Sequence, residues 1–261
     1  MKVKKQALDA IIGELRTRLH EELDYCNEPD NVRLFGDYYR EHPWVVVPSV
    51  VGERSSQRVL TLSYEPGEHL DDVDDFPQET RDALGATMFA VMADQIFQLG
   101  AIHADPNPAN FAFRRDGRIV FYDFGCVKRL DPVIMSAYRH TIASALAEDY
   151  AGVEEGLVRL GARNLDGPPV PLEYYKMWRD IFAQPFIGDE PFDYGRATMH
   201  HDALEHVPGF LMRHVASFSP PAELVFLDRV VVGHYGTMRR LGARGQFRQL
   251  LDPHLTRAAT P

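Results

Sequence analysis

The chain has 261 residues, 45% of them apolar, and a formal net charge of −10. That length and composition suit one large domain, or two lobes sharing a cleft, with enough apolar side chains for a sizeable core. The acidic balance argues against a broad nucleic-acid footprint, which needs a basic face, and leaves room only for small basic patches.

In chain order, residues 7–26 carry Ile11, Leu15, Leu19 and Leu23 at helical spacing, with Ile12 widening the stripe, which predicts an amphipathic helix. Glu22 lies beside that stripe, where it can reach a cleft edge. Val45-Val46-Val47-Pro48 and Val59 to Tyr64 read as strands of a small lobe. Glu65-Pro66-Gly67 breaks the second strand and reads as a hinge. Glu68, Asp71, Asp72, Asp74 and Asp75 form an acidic run expected to be a solvated loop.

A long helix is expected from Gln78, through Leu84, Met88, Val91 and Met92, to a stop at Gly100. Phe111 to Arg114 and Ile119 to Tyr122 flank Asp116-Gly117, a hairpin signal. Asp131-Pro132 predicts a capped helix to about Ala147, followed by helices over 150–160, 172–182 and 221–241. Another is expected over 203–214, broken at Pro208. Residues 183–198 read as a loop and a plausible interaction surface. His201 and His206 are five apart, off the i, i+4 face that a helical zinc pair needs.

No apolar run approaches the roughly 20 residues required to span a bilayer, and the basic residues 2–5 lead into a charged stretch rather than a signal-peptide core. Cys26 and Cys126 match no metal spacing and suit a reduced, cytosolic setting. Peripheral contact with a membrane stays open.

The chemistry concentrates at 103–125. His103-Ala-Asp-Pro-Asn-Pro-Ala-Asn110 puts Asn110 five residues after Asp105, and Asp123 opens Asp-Phe-Gly beyond the hairpin. Those spacings belong to kinase-like sites that align an acceptor hydroxyl and hold magnesium beside the phosphates of ATP. Asp123 offers a carboxylate and Asn110 a side-chain carbonyl, both hard oxygen ligands. Asp105 would face the acceptor, and His103 would brace the Asp-Phe-Gly backbone. Backbone groups at Glu65 would meet the adenine edge of a nucleotide in a pocket between lobes.

Residues 103–110 resemble the H-A-D-P-H-P-G-N loop of the UbiB/ADCK (AarF) atypical kinase family. Glu22-Leu23-Asp24-Tyr25 is similar to its E-x-D motif, Asn31 and Phe35 fit the continuation, and Val59 to Gly67 resembles its hinge strand. Leu227-Asp228-Arg229 is similar to its C-terminal helices. The resemblance implies an α+β, protein-kinase-like fold with a reduced small lobe over 1–67 and a mainly helical large lobe over 68–261. It also implies ATP and Mg2+ as cofactors, a link to isoprenoid-quinone metabolism, and a role for Glu22 in pairing with a phosphate-binding lysine.

The family's lysine strand, alanine-rich loop and K-x-G-Q motif are not found in these 261 residues. Lys2, Lys4 and Lys5 are candidates for a substitute lysine, though a solvated basic terminus is the simpler reading. Ala109 and Asn107 replace the family's usual Gly and His. Two alternatives follow: a pseudokinase or protein-interaction module, and a small-molecule phosphotransferase of the aminoglycoside or choline kinase type, which shares H-x-D-x-x-x-x-N. The phosphoryl acceptor is open between water, a lipid and a protein.

Overall fold

The computed structural model describes residues 27–256. The expected helix over 7–26, with Glu22 and Cys26, lies outside the described residues. Helix α1 (Glu28–Tyr38) starts with Pro29 in its first turn and buries Val32 and Phe35. A two-residue strand β1 (Val45–Val46) follows. Helix α2 (Gln78–Asp94) is the spine of the molecule. Its Leu84, Met88 and Val91 enter one apolar cluster with Phe35, Phe111, Phe121 and Phe124. Its Phe89 and Met92, and Ile96 just beyond, enter a second cluster with Met135, Leu227, Val230 and Phe247. A helix packed on two sides needs apolar residues all round, so no single stripe marks it. The helix widens at its exit into a π-helical turn, Gln95–Leu99, and stops at Gly100, whose φ of +64° suits glycine.

Four short strands then carry the motif region: β2 (Ala101–His103), β3 (Phe111–Phe113), β4 (Ile119–Phe121) and β5 (Val127–Arg129). β3 and β4 form the expected hairpin, Phe111 opposite Phe121, turning at Gly117 with φ +88°. β2 pairs antiparallel with β5, His103 opposite Val127. Helices α3 (Pro132–Leu146), α4 (Tyr150–Arg159), α5 (Leu172–Phe182), α6 (Met199–His214), α7 (Ala222–Leu241) and α8 (Phe247–Thr256) build the rest. Asp131 caps α3 by accepting the Val133 N–H at 2.7 Å, as its position before Pro132 predicts. Among the described residues no helix is long and apolar enough to cross a membrane.

Four expectations are corrected. β1 pairs in parallel with β4, Val45 opposite Ile119, extending the hairpin's sheet. Residues 59–64 form no strand; they make isolated bridges, Val50 to Leu62 and Ser56 to Val59, because Ser55 Oγ takes the Thr61 N–H that a ladder would use. Helix α6 runs through Pro208 without a break, on a largely exposed segment where water can satisfy the carbonyl that a proline leaves unbonded. Within 183–198, β6 (Phe192–Asp193) pairs with β7 (Arg244–Gly245), and Tyr194 is buried against Phe247.

The acidic run is exposed at Asp71, Asp72, Asp74 and Asp75, as expected, and arginines pair with it. Arg115 binds Glu68 at 3.0 Å and Asp75 at 2.8 Å, and Arg240 of α7 binds Asp74.

Candidate active site

Hairpin register brings the two ends of the motif together. Asn110 immediately precedes β3 and Asp123 follows β4 by two residues, so the antiparallel pairing closes them side by side. The Tyr122 N–H donates to the Asn110 carbonyl at 3.0 Å. Asn107 accepts the Ala109 N–H at 3.1 Å and starts a 3₁₀ turn, Pro108–Asn110. That turn aims Asn110 back at Asp105: its Nδ2 donates to Asp105 Oδ2 at 2.8 Å and approaches the Asp105 carbonyl at 3.4 Å. Two acceptors on Nδ2 fix the amide's orientation, which leaves the Asn110 Oδ1 for a cation.

Asp123 is exposed, and its Oδ1 accepts the Gly125 N–H at 2.8 Å. His103, 1% exposed, donates from Nε2 to the Asp123 carbonyl, and the rings of Phe111, Phe121 and Phe124 surround it. Because a carbonyl can only accept, Nε2 carries the proton. Burial lowers the His103 pKa, so the ring is a neutral brace. Its backbone N–H is held by Gln95 Oε1 at 2.9 Å, linking the π-helical turn to the loop.

Sequence reasoning missed Glu28. It is 9% exposed, and its Oε1 accepts the Phe124 N–H at 3.2 Å, while Asn31 Nδ2 donates to the Phe124 carbonyl at 3.0 Å. Helix α1 therefore grips both backbone groups of the residue after Asp123. Burial raises the Glu28 pKa; the Phe124 N–H opposes this, and the nearby Asp123 charge adds to it. A signal did exist. Glu28 shares a helix face with Asn31, Val32 and Phe35, and a glutamate on an apolar face is rare without a partner.

Glu65 is placed at the other end of the hairpin. Its carboxylate meets Arg114 Nη2 at 2.8 Å, and its carbonyl accepts the Tyr122 hydroxyl at 2.7 Å. Tyr122 precedes Asp123, so this bond ties the expected hinge to the Asp-Phe-Gly turn. Gly67 is required there, since an added Cβ would lie 2.6 Å from the Ala112 Cβ. Burial raises the pKa of Cys126, which keeps it a thiol and suits packing rather than reactivity.

The donor set tests the fit of magnesium. Asp123 and Asn110 Oδ1 are oxygens, with the Glu28 carboxylate near Asp123. Among the described residues no group of three or more His, Cys, Asp or Glu is arranged to hold a metal by itself. The oxygen donors fit Mg2+, which is commonly held by one or two protein oxygens with phosphates and waters completing the shell.

The family model of the ABC1 atypical kinase-like domain matches residues 1–157. The uncharacterized protein slr1919 of Synechocystis is 27% identical over 254 residues, 96% of this chain and 43% of that protein. The atypical kinase coq-8 of Caenorhabditis elegans, a mitochondrial protein, is 26% identical over 245 residues, 92% of this chain and 32% of its own length. The chain thus spans less than half the length of these curated relatives. Among solved structures, the Mycobacterium tuberculosis protein Rv3197, in complex with erythromycin, matches with a TM-score of 0.75 at 24% identity, covering 96% of this chain and 62% of that one. The expected kinase-like α+β fold is therefore present.

Proposed function

Because the chain belongs to the ABC1 atypical kinase-like domain family, we propose that it binds Mg-ATP at Asn110 and Asp123, with Asp105 facing the acceptor, and works as an atypical kinase or ATPase-type module. The observation that carries this reading is the contact of Asn110 with Asp105 at 2.8 Å, while the hairpin sets Asp123 beside Asn110. Asp123 and Asn110 Oδ1 hold magnesium, which when bound neutralises phosphate charge. Asp105 accepts and aligns the acceptor hydroxyl. His103 and Glu28 keep the Asp-Phe-Gly backbone in place from opposite sides.

Glu65 and its neighbours serve as the hinge that meets the adenine, and Glu22 pairs with a phosphate-binding lysine, as the family resemblance implies. The division into a small lobe over 1–67 and a large lobe over 68–261 goes with that hinge. A link to isoprenoid-quinone metabolism rests on the same resemblance. The acceptor is a hydroxyl of water, a lipid or a protein.

A thermal-shift series tests this reading. Magnesium with ATP should raise the melting temperature, and either one alone should do less, because a ligand that binds only the folded state stabilises it. Identical melting in all four conditions at millimolar nucleotide would contradict nucleotide binding.

A further inference from the structure

We propose that Arg229 is the cation that stabilises the phosphoryl group in transfer, a role that rests on the phosphoryl-transfer reading above. A phosphoryl group in flight spreads negative charge over three oxygens and needs positive groups placed in advance. The loop 103–110 contains no lysine or arginine. The groups set out for magnesium, Asp123, Asn110 and Glu28, are all oxygen donors. Positive charge comes instead from helix α7. Arg229 Nη2 lies 3.6 Å from Asp105 Oδ1. Because Asn110 holds Oδ2, Oδ1 is the oxygen left for the acceptor hydroxyl. A hydroxyl bound there lies beside the guanidinium.

Two further observations support the assignment. Lys128 of β5 and Arg229 of α7 both lie against the ring of Phe226, at 5.6 and 6.0 Å from its centroid, so two elements bring cations to one aromatic ring. The register of α7 against the loop is also fixed. Gly233, one turn beyond Arg229, packs so closely that an added Cβ would lie 2.2 Å from the Cβ of Pro106, the neighbour of Asp105. Arg229 itself is 59% exposed, and an open ion pair at this distance contributes little to folding stability. Its planar, multiply donating head suits phosphoryl oxygens.

In the step, the acceptor oxygen forms a bond to the γ-phosphorus with its own electron pair. The bond from that phosphorus to the bridging oxygen breaks, and its electrons stay on ADP. The acceptor proton passes to Asp105 Oδ1, and Arg229 neither gains nor loses a proton.

Calorimetry on the whole chain tests the role with Mg-ADP, alone and with aluminium fluoride as a mimic of the phosphoryl group in flight. Fluoride should tighten Mg-ADP binding to the wild type. Arg229→Met should bind Mg-ADP within about threefold of wild type yet lose tenfold or more of the tightening, the order expected for one preorganised donor. Arg229→Lys should recover part of it, and Lys128→Met should lose less. Full tightening in Arg229→Met, or wild type that binds Mg-ADP with no tightening by fluoride, would overturn the role of Arg229 alone. Wild type that binds no magnesium nucleotide would overturn the phosphoryl-transfer reading and this role with it.

Discussion

The segment from His103 to Gly125 and the connector from Val47 to Phe76 are similar in length and both lack long elements, yet they are held by different forces. In the first, most contacts close within the segment: Asn107 to Ala109, Asn110 to Asp105, Phe111 opposite Phe121, and His103 inside a cage of three phenylalanines. In the second, the bridges within 50–62 are joined by charged partners from far along the chain. Arg114 binds Glu65, Arg115 binds Glu68 and Asp75, Arg240 binds Asp74, and Glu68 exchanges backbone bonds with Phe113 at 2.8 Å. The first is a buried, locally closed unit resting on α7. The second anchors Leu70, Val73 and Phe76 in the core and sets its charged pairs near the surface. The first should respond to acid and packing changes, the charged pairs of the second to salt.

The largest expected effect falls on the buried side. His234 of α7 lies beneath the loop, 6.0 Å from the Phe111 ring, and burial pushes its pKa down to about 3, with a smaller push from His103. Between about 3 and the ordinary value of 6.5, the unfolded chain binds a proton that the folded chain refuses. Stability from this group is therefore complete above pH 6.5 and drains as pH falls toward 3, by up to about 1.4 kcal/mol per pH unit. Melting curves of His234→Phe should show a flatter acid limb; an unchanged limb would deny that this ring sets it.

Gly233→Ala comes next, because its methyl would press on Pro106. Overpacking of this kind costs about 1–3 kcal/mol, and the displaced loop should weaken Mg-nucleotide binding. Gly236→Ala, in the same helix with nothing within 4 Å of the added carbon, should instead gain about 0.5–1 kcal/mol. Similar denaturation midpoints for the two variants would erase the asserted contact between α7 and the loop.

Glu28→Gln should split stability from binding. The folded carboxyl holds its proton more tightly than the unfolded one, so its contribution to stability is lost as pH rises through the raised pKa. The amide can keep the bond to Phe124 without a buried charge. The variant should melt slightly higher at neutral pH while binding Mg-ADP less well. Higher affinity for the magnesium nucleotide would count against Glu28 as part of the cation's surroundings.

The smallest effect belongs to the connector. Asp74→Asn removes an exposed partner of Arg240 and should shift the melting temperature barely, with the difference vanishing in molar salt. A large shift that persists in salt would mean that Asp74 and Arg240 are more than a screened surface pair.

Legibility in the sequence followed the same division. Asp105, Asn110 and Asp123 were readable because a short loop and a hairpin fix their relation, and Asp116-Gly117 announced the turn. Residues 59–64 misled because β-branched alternation suggests a strand without saying whether a partner strand is available. The pairing of Phe192 with Gly245, the helix over 247–256 and the seat of Gly233 under Pro106 depend on contacts between distant segments, which no local spacing encodes. Glu28 was readable in part, since it interrupts an apolar helix face; Arg229 was not, because a helix arginine is ordinary until the loop 103–110 is set against it.

In the proposed function, Asn110 and Asp123 share one magnesium beside a nucleotide, with Asp105 facing the acceptor. Calorimetric titration of Mg-ATP into wild type, Asp123→Ala and Asp105→Ala tests it most directly. Asp123→Ala should lose the magnesium-dependent part of the affinity while Asp105→Ala keeps most of it; equal binding by wild type and Asp123→Ala would contradict the account.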